Sequence, residues 1–145
     1  MADVGQLSLS ALCALCEVED DEQLPLGLEA DDENARAILG DILISRFEPC
    51  GETALAAVDA VYAAERGAPG LVPTEAGLPG ARWLAVGATK LAVWRGDIRN
   101  LAVGAVVNAA NDGGLGCFQP RHRCIDNVLH RAAGPRLREA CRGLM

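Results

Sequence analysis

The sequence predicts an α/β fold, with helices in its first half and the beginning of a parallel sheet in its second half. Three observations predict it: apolar residues recur at helical spacing over residues 32–66, Gly and Pro are concentrated in residues 67–80, and an almost uninterrupted apolar run occupies residues 101–107. Apolar side chains make up 50% of the 145 residues and charged ones 23%, which is typical of a folded domain and excludes a wholly disordered chain.

The first 31 residues are predicted to form a loosely ordered acidic segment. Residues 8–16 are a short apolar stretch compatible with two helical turns, and residues 17–22 are an acidic run whose like charges favour solvent. No basic region precedes the apolar stretch, and no apolar run reaches the roughly 20 residues that a membrane-spanning helix needs. We therefore expect a cytoplasmic protein, whose six cysteines are thiols or metal ligands rather than disulfides.

Residues 32–80 are predicted to be a helical extension followed by a linker. Asp32 is suited to cap a first helix, and a second helix is expected over residues 52–66. The Gly- and Pro-rich residues 67–80 then form a loop or linker. The first helix has apolar positions at three- and four-residue steps, namely Ala35, Ile38, Leu39, Ile42 and Leu43.

Residues 81–145 carry the predicted sheet and two further helices. Two short β-leaning runs, residues 83–86 and 91–94, are separated by a turn, and residues 101–107 are expected to form a strand covered on both faces. Helical patterning resumes near Cys124 and again after a Gly-Pro pair. The apolar faces of these helices are expected to comprise Ile125, Val128 and Leu129 in one and Leu137, Ala140 and Cys141 in the other.

Charge is distributed unevenly between the two parts of the chain. Residues 1–80 hold 16 acidic and 3 basic side chains, whereas residues 81–145 hold 4 acidic and 10 basic ones. The basic part is suited to a phosphate-bearing ligand, although the same arginines are equally compatible with a solvated surface. Neither nucleic acid nor a membrane is an expected partner, because no aromatic stacking pattern accompanies the arginines and no apolar span exists.

A short segment in the basic part has the composition of a metal site. Cys117, His122 and Cys124 lie within eight residues, and two thiolates with one imidazole suit a tetrahedral Zn²⁺ ion. Three protein ligands would leave one coordination position open, as in catalytic sites, unless Asp126 is the fourth ligand of a structural site. Alternatively, the two cysteines are small buried side chains and the histidine lies on the surface.

Polar residues follow the predicted strands, at the position where α/β sheets bind their ligands. Asp97 and Ile98 follow the two short runs, and Asn108 and Asn111 follow the long apolar run. Short amides can hydrogen-bond ribose hydroxyls, and the glycine-rich residues 112–116 can offer backbone N–H groups to a phosphate. An asparagine after a strand is also a common turn former, so each signal is weak by itself.

The order of these motifs resembles the first half of a macrodomain, an ADP-ribose-binding α/β/α module. GDI is followed by NAAN, a glycine-rich loop, IDNVLH and AAGP, and GCFQPRHRC precedes IDN. That insertion resembles the zinc-containing class of microbial macrodomains, which removes mono-ADP-ribose from proteins, and VDAVYAAERGAPGLV is similar to the N-terminal helical extension of that class. The resemblance spans residues 36–145 and is most specific between Trp94 and Cys141.

The resemblance implies a role for each matching position. Adenine would be contacted by Asp97 and Ile98, and the distal ribose by Asn108 and Asn111. Zn²⁺ would be held beside that ribose by the three-ligand segment. Asn111 and Asp126 would be the catalytic residues, although Asp126 is also compatible with a helix-start carboxylate that the helix dipole favours.

The chain departs from the family pattern at Met145, before the further strands and the second glycine-rich loop that wraps the diphosphate. Residues 81–145 would then be a partial macrodomain, either in a fragment of a longer product or in a truncated natural one. The implied function is a zinc-dependent hydrolase that removes mono-ADP-ribose from modified proteins, impaired if the second loop is missing. The alternative is a non-catalytic ADP-ribose-binding module or an inactive fragment, and the sequence predicts no oligomeric state.

Two other candidates are expected to be structural. The CxxC pair of Cys13 and Cys16 follows no predicted strand, so a redox or metal role is not indicated. His130 falls within a predicted helix beside Arg131, and we expect a structural or surface histidine rather than a ligand.

Overall fold

The chain forms two compact units in the computed structural model, which describes residues 3–17, 31, 33–66, 72–73, 78 and 80–145. The first unit comprises Met1–Ala68 with Asn108–Met145, and the second comprises Pro69–Val107. The described regular structure is helical in the first unit and consists of small sheets with a short 3₁₀ helix in the second. The α/β class predicted from the sequence is therefore confirmed.

The first helix, α1, covers Val4–Cys16 and is packed rather than loosely ordered. Asp3 caps it, because Asp3 Oδ1 accepts a hydrogen bond of 2.8 Å from the backbone N–H of Gly5. Its apolar face continues over three turns and includes the fully buried Leu12. The expectation of a loosely ordered start is thus wrong for these residues, because the apolar face finds partner helices. Residues 18–30, with most of the acidic run, lie outside the described residues.

Two further helices, α2 over Ala35–Ser45 and α3 over Glu52–Arg66, pack against α1. The predicted bounds of α3 are confirmed, whereas the proposed cap Asp32 lies outside the described residues. Apolar positions three and four residues apart share one helix face, and burying that face supplies the hydrophobic stabilisation. The largest fully buried apolar side chains of this three-helix core are Leu12, Leu39, Val58 and Val61.

The chain contributes two more helices to the first unit, α4 over Ile125–Ala133 and α5 over Pro135–Arg142. Both were predicted, and Pro135 begins α5 at a position where its missing N–H is not needed. Helix α4 contacts both α2 and α5. The C-terminal helices are therefore anchored on the N-terminal helical extension.

The faces that α4 and α5 bury are not the predicted apolar ones. Ile125 is 38% exposed and Leu137 is 36% exposed. Polar side chains are buried instead. Hydrogen bonds of Asp126, Asn127 and Arg138 offset the cost of removing these side chains from water, whereas the Nδ1 atom of His130 is buried without a partner among the described residues. The buried polar residues are Asp126, Asn127, His130 and Arg138.

The second unit contains two separate two-stranded sheets. Its strands are β1 (Val72–Pro73), β2 (Arg82–Val86), β3 (Thr89–Val93) and β4 (Leu101–Ala102). β2 and β3 correspond to the two predicted β-leaning runs and pair as an antiparallel hairpin, around a turn in which Gly87 has a φ of 60°. A 3₁₀ helix over Ile98–Asn100 leads into β4.

β4 is shorter than the strand predicted over residues 101–107. Its two residues pair in parallel with β1, whereas residues 103–107 have no pairing strand among the described residues. A strand is stable only when a neighbour pairs its backbone N–H and C=O groups, so an apolar run alone does not form one. The predicted burial is also wrong here, since Val107 is 93% exposed.

None of the described helices combines the length and the apolar character that crossing a membrane requires.

Replacing Leu12 by Ala tests the packing of α1. The Leu12→Ala variant should lower the free energy of unfolding by about 2–5 kcal/mol, because it leaves a cavity among α1, α2 and α3. The matched control is Leu144→Ala, at a side chain that is 86% exposed, and it should change the free energy by less than about 0.5 kcal/mol. Chemical denaturation followed by circular dichroism measures both, and equal effects would contradict the packed α1.

Candidate metal centre

Three potential metal ligands come together in the loop that precedes α4. The Sγ atoms of Cys117 and Cys124 and a ring nitrogen of His122 all lie within 4.8 Å of one another. Cys117 Sγ and His122 Nδ1 are 3.3 Å apart. Tetrahedral zinc with bonds of about 2.0–2.3 Å separates its ligand atoms by roughly 3.5–3.8 Å, so this spacing fits Zn²⁺ after a small adjustment. The donor set fits as well, since zinc prefers thiolate and imidazole ligands.

Among the described residues, the cluster contains three potential protein ligands rather than four. Asp126 does not belong to it, and the Asp126 carboxylate is engaged elsewhere, by the side chain of Asn108. A three-ligand set leaves a coordination position for water or substrate, as catalytic zinc sites do. The geometry therefore favours an open site over the structural site in which Asp126 would be the fourth ligand.

Hydrogen bonds around Cys117 favour its thiolate form. The backbone N–H of Gln119 lowers the pKa of the Cys117 thiol, whereas burial raises it. Further hydrogen bonds, from His122, Asn127 and Cys124, lower the same pKa. The thiolate is the form in which a cysteine binds a metal ion, so these hydrogen bonds make Cys117 suited to ligation.

Cys124 is the N-cap of α4, and its sulfur faces the start of that helix. The backbone N–H of Asn127 donates a hydrogen bond of 3.3 Å to Cys124 Sγ. This hydrogen bond fixes the position of the sulfur at the start of the helix. The Asn127 side chain donates to the backbone oxygen of Gln119 at 2.7 Å, which ties the same loop to α4.

Glycine is required at position 116 by the path of the loop. Gly116 has a φ of 87°, and a Cβ atom there would lie 2.7 Å from the ring of His130. Asn111 shapes the turn before it, since its backbone oxygen accepts from Gly114 N and its Nδ2 donates to Gly116 O, each at 3.1 Å. Asn111, assigned to the ribose by resemblance, thus supports the loop that leads into Cys117.

Three polar side chains, those of Asn108, Asp126 and His130, lie together next to this loop. Asn108 Nδ2 donates to Asp126 Oδ1 at 2.7 Å, and His130 Nε2 lies 3.6 Å from the same oxygen. Burial lowers the pKa of His130 and the charge of Arg138 lowers it further, while Asp126 raises it, so the imidazole is neutral at neutral pH. Asn108 Oδ1 is buried without a hydrogen-bond partner among the described residues, which suits a ligand hydroxyl.

The two predicted adenine contacts lie in the second unit, apart in the chain from the other candidates. Asp97 caps the 3₁₀ helix, and the Arg99 guanidinium bonds to both of its carboxylate oxygens. The side-chain hydrogen bond from Arg99 is the largest cause that lowers the pKa of Asp97 to about 2. Ile98 is half-buried. The adenine contact stays a prediction, and it would be made by a carboxylate that already has a partner.

The structure brings the remaining predicted site residues together in the first unit as two groups. One group is the cluster of the three potential metal ligands, and the other is the Asn108–Asp126 pair. Asn111 belongs to neither group and is hydrogen-bonded to the backbone oxygen of Gly116. The sequence analysis missed the parts played by Asn127, His130 and Arg138. The i,i+4 spacing of Asp126 and His130 was the available signal for one of them, because it places both side chains on the same face of α4.

Residues 107–145 match the model of the Macro domain family. This match includes the metal cluster and the Asn108–Asp126 pair. It covers the C-terminal part of the first unit and supports the macrodomain resemblance there.

Curated relatives share a short, highly similar stretch with this chain. A probable bifunctional ADP-ribose hydrolase/ADP-ribosyltransferase of Fusarium oxysporum f. sp. cubense is 65% identical over 57 residues, which is 39% of this chain and 10% of the relative. A protein-ADP-ribose hydrolase of Treponema medium is 60% identical over 53 residues, 37% of this chain and 20% of the relative. One of Staphylococcus aureus is 53% identical over 49 residues, 34% of this chain and 18% of the relative. The matched stretch thus spans between a tenth and a fifth of these relatives.

Adding a methyl group at position 116 tests the contact with His130. Gly116→Ala should lower the free energy of unfolding by at least about 1–3 kcal/mol, because alanine is strained at this φ and its Cβ meets the imidazole. Gly51→Ala is the matched control, since no atom lies within 4 Å of a Cβ built there. Urea denaturation measures both variants, and a Gly116→Ala protein as stable as the control would refute the close approach.

Proposed function

We propose that this chain carries the zinc site of a hydrolase that removes mono-ADP-ribose from modified proteins. The observation that carries the proposal is the cluster of Cys117, His122 and Cys124, whose donor atoms lie within 4.8 Å of one another inside the segment that matches the Macro domain family. Two relatives named protein-ADP-ribose hydrolase are 60% and 53% identical to this chain over about the same length of sequence, which supports the same chemistry.

The three ligands would hold zinc through two thiolates and a neutral imidazole. When bound, zinc supplies Lewis-acid chemistry, either by orienting ribose hydroxyls or by lowering the pKa of a bound water toward about 7. Hydrogen bonds to the sulfur atoms of Cys117 and Cys124 would hold both donor atoms in position for the ion.

The buried amide of Asn108 would bind the distal ribose. Its Oδ1 has no hydrogen-bond partner among the described residues, and a ribose hydroxyl would donate to it. Asp126 Oδ1 accepts from Asn108 Nδ2, so the carboxylate fixes the direction in which the amide oxygen points. Asn111, at the start of the same loop, would contact the same ribose.

The reaction breaks the bond between the distal ribose and the modified side chain. The hydroxyl of a water molecule adds to the anomeric carbon, and the departing side chain takes up a proton. The products are free ADP-ribose and the unmodified side chain. Asp126 is the group to which we assign the proton of the attacking water.

A non-catalytic module that binds ADP-ribose is the second candidate. Asp126 is only 3% exposed and is engaged by Asn108, as expected for a carboxylate that holds a ligand-binding amide rather than one that exchanges protons with water. Calorimetric titration with ADP-ribose separates the two candidates. Binding without release of ADP-ribose from a modified protein favours the module, and absence of binding favours an inactive fragment.

Removing one ligand tests the zinc proposal. Cys124→Ala should lose bound zinc and release ADP-ribose at least about 100-fold more slowly, because even the groups that only support metal ligands often contribute 10–100-fold. Cys141→Ala, at a cysteine outside the cluster, is the matched control and should behave like the unaltered protein. Elemental analysis and release of ADP-ribose from a modified protein are the measurements. Full activity in metal-free Cys124→Ala would exclude zinc from the mechanism.

Protons should compete with the metal ion. Cys117 must be deprotonated and His122 neutral to act as ligands, so zinc affinity should fall as the pH is lowered. Because the pKa of Cys117 is already lowered, protons should compete with zinc for its sulfur over a lower pH range than at an ordinary cysteine. A chelator competition titration at several pH values measures the slope, and an affinity independent of pH would argue against thiolate and imidazole ligands.

A further inference from the structure

Arg138 has a buried guanidinium group that joins α5 to α2 and to the loop of residues 115–124, which carries the three potential metal ligands. The residue is 6% exposed, and its Nη1 donates to the backbone oxygens of Leu43 and Arg46, each at 2.8 Å. Its Nε donates at 2.8 Å to the backbone oxygen of Leu115. The last carbonyls of a helix lack partners within that helix, so Arg138 satisfies the end of α2 and the loop with one side chain.

The same guanidinium holds the loop on the other side of Cys117. Its Cζ lies 4.5 Å from the ring centroid of Phe118, which in turn packs against Phe47 with ring centroids 5.3 Å apart. Leu115 and Phe118 flank Cys117 in the chain. Arg138 therefore contacts the loop two residues before the first proposed ligand and one residue after it.

A second contact joins α2 to the part of the loop that carries His122. Asp41 on α2 accepts from Arg121 Nε at 3.1 Å and from Arg131 Nη1 of α4 at 2.9 Å. Burial raises the pKa of Asp41, but hydrogen bonds from the two arginines outweigh it and the pKa is lowered. Gly40 leaves room for this contact, since a Cβ there would lie 2.5 Å from the Arg131 guanidinium.

We propose that Arg138 and Asp41 are positioning residues for the metal site, and that docking of α2 sets the affinity of the loop for its ion. The proposal rests on the proposed function, because it requires that the cluster binds a divalent metal. The three ligands lie on an irregular loop, and these two residues attach that loop to a rigid helix. Without these two contacts the loop would lose more conformational entropy when its donor atoms come together on the ion.

Zinc affinity of the full chain tests the proposal, measured by competition with a chromophoric chelator. Arg138→Gln should weaken zinc binding by about 10–100-fold, and Asp41→Asn by several-fold, with Asp41→Glu restoring part of the loss. Arg136→Gln is the matched control: Arg136 also lies on α5, but it pairs with Glu52 and Asp59 of α3 and does not touch the loop. This control should bind zinc like the unaltered chain.

Two further readouts separate positioning from a general loss of stability. The visible absorption of bound Co²⁺ reports tetrahedral geometry, and it should weaken or shift in Arg138→Gln and Asp41→Asn but not in Arg136→Gln. If docking of α2 strengthens zinc binding, zinc binding must stabilise the docked helix to the same extent. Zinc should therefore slow hydrogen exchange of the backbone amides at the end of α2, around Leu43–Arg46, in the unaltered chain. If Arg138→Gln does not fold, the zinc affinity of Asp41→Asn and the hydrogen exchange of the unaltered chain test the positioning role instead.

The outcomes of the test are distinct. An unaltered chain that binds no zinc overturns the proposed function and, with it, this inference. An unaltered chain that binds zinc, with Asp41→Asn and Arg138→Gln binding it equally well, overturns the positioning role alone. Weaker binding and altered Co²⁺ absorption in both variants, with the control unchanged, support it.

Discussion

The candidate site depends on the close approach of the Gly116 backbone to the imidazole of His130. No other residue type allows it, since a Cβ at position 116 would lie 2.7 Å from the ring. Cys117 follows directly in the chain, so this contact sets where the first proposed ligand begins. On its other side His130 faces Asp126, which binds Asn108. One backbone contact thus links the metal cluster to the amide assigned to the ribose.

The first unit is stabilised by two kinds of core. Helices α1, α2 and α3 bury aliphatic side chains, and their stability comes from the hydrophobic effect. Helices α4 and α5 bury polar side chains on the faces that they turn inward, and hydrogen bonds of Asp126, Asn127 and Arg138 offset much of the cost of burying them. Such a polar interior specifies geometry more narrowly than an apolar one, because directional hydrogen bonds fail when groups move.

Helix α2 connects the two cores. Its apolar face, with Leu39 and Leu43, belongs to the aliphatic core. The Asp41 carboxylate of this helix accepts hydrogen bonds from Arg121 of the loop and from Arg131 of α4. The backbone oxygens of Leu43 and Arg46, at its C-terminal end, accept from Arg138 of α5. Another contact of this kind comes from α3, where Tyr62 donates to the backbone oxygen of Arg131 at 2.7 Å. The acidic helical extension therefore meets the basic part of the chain through specific pairs as well as through general charge complementarity.

The sequence by itself predicted α3, α4 and α5 and the candidate ligand set. Periodic apolar residues and a Gly- and Pro-rich stop indicated α3, and a Gly-Pro pair indicated the start of α5. The types and spacing of Cys117, His122 and Cys124 indicated zinc, because residue type and spacing are local properties of the chain. Tertiary structure decided which faces are buried and which runs become strands. Residues 103–107 are as apolar as a strand but find no pairing partner among the described residues. Arg138 looks like a surface residue in sequence, yet it is buried because carbonyl groups from distant segments converge on it. Such partners are set by three-dimensional contacts, and no local pattern encodes them.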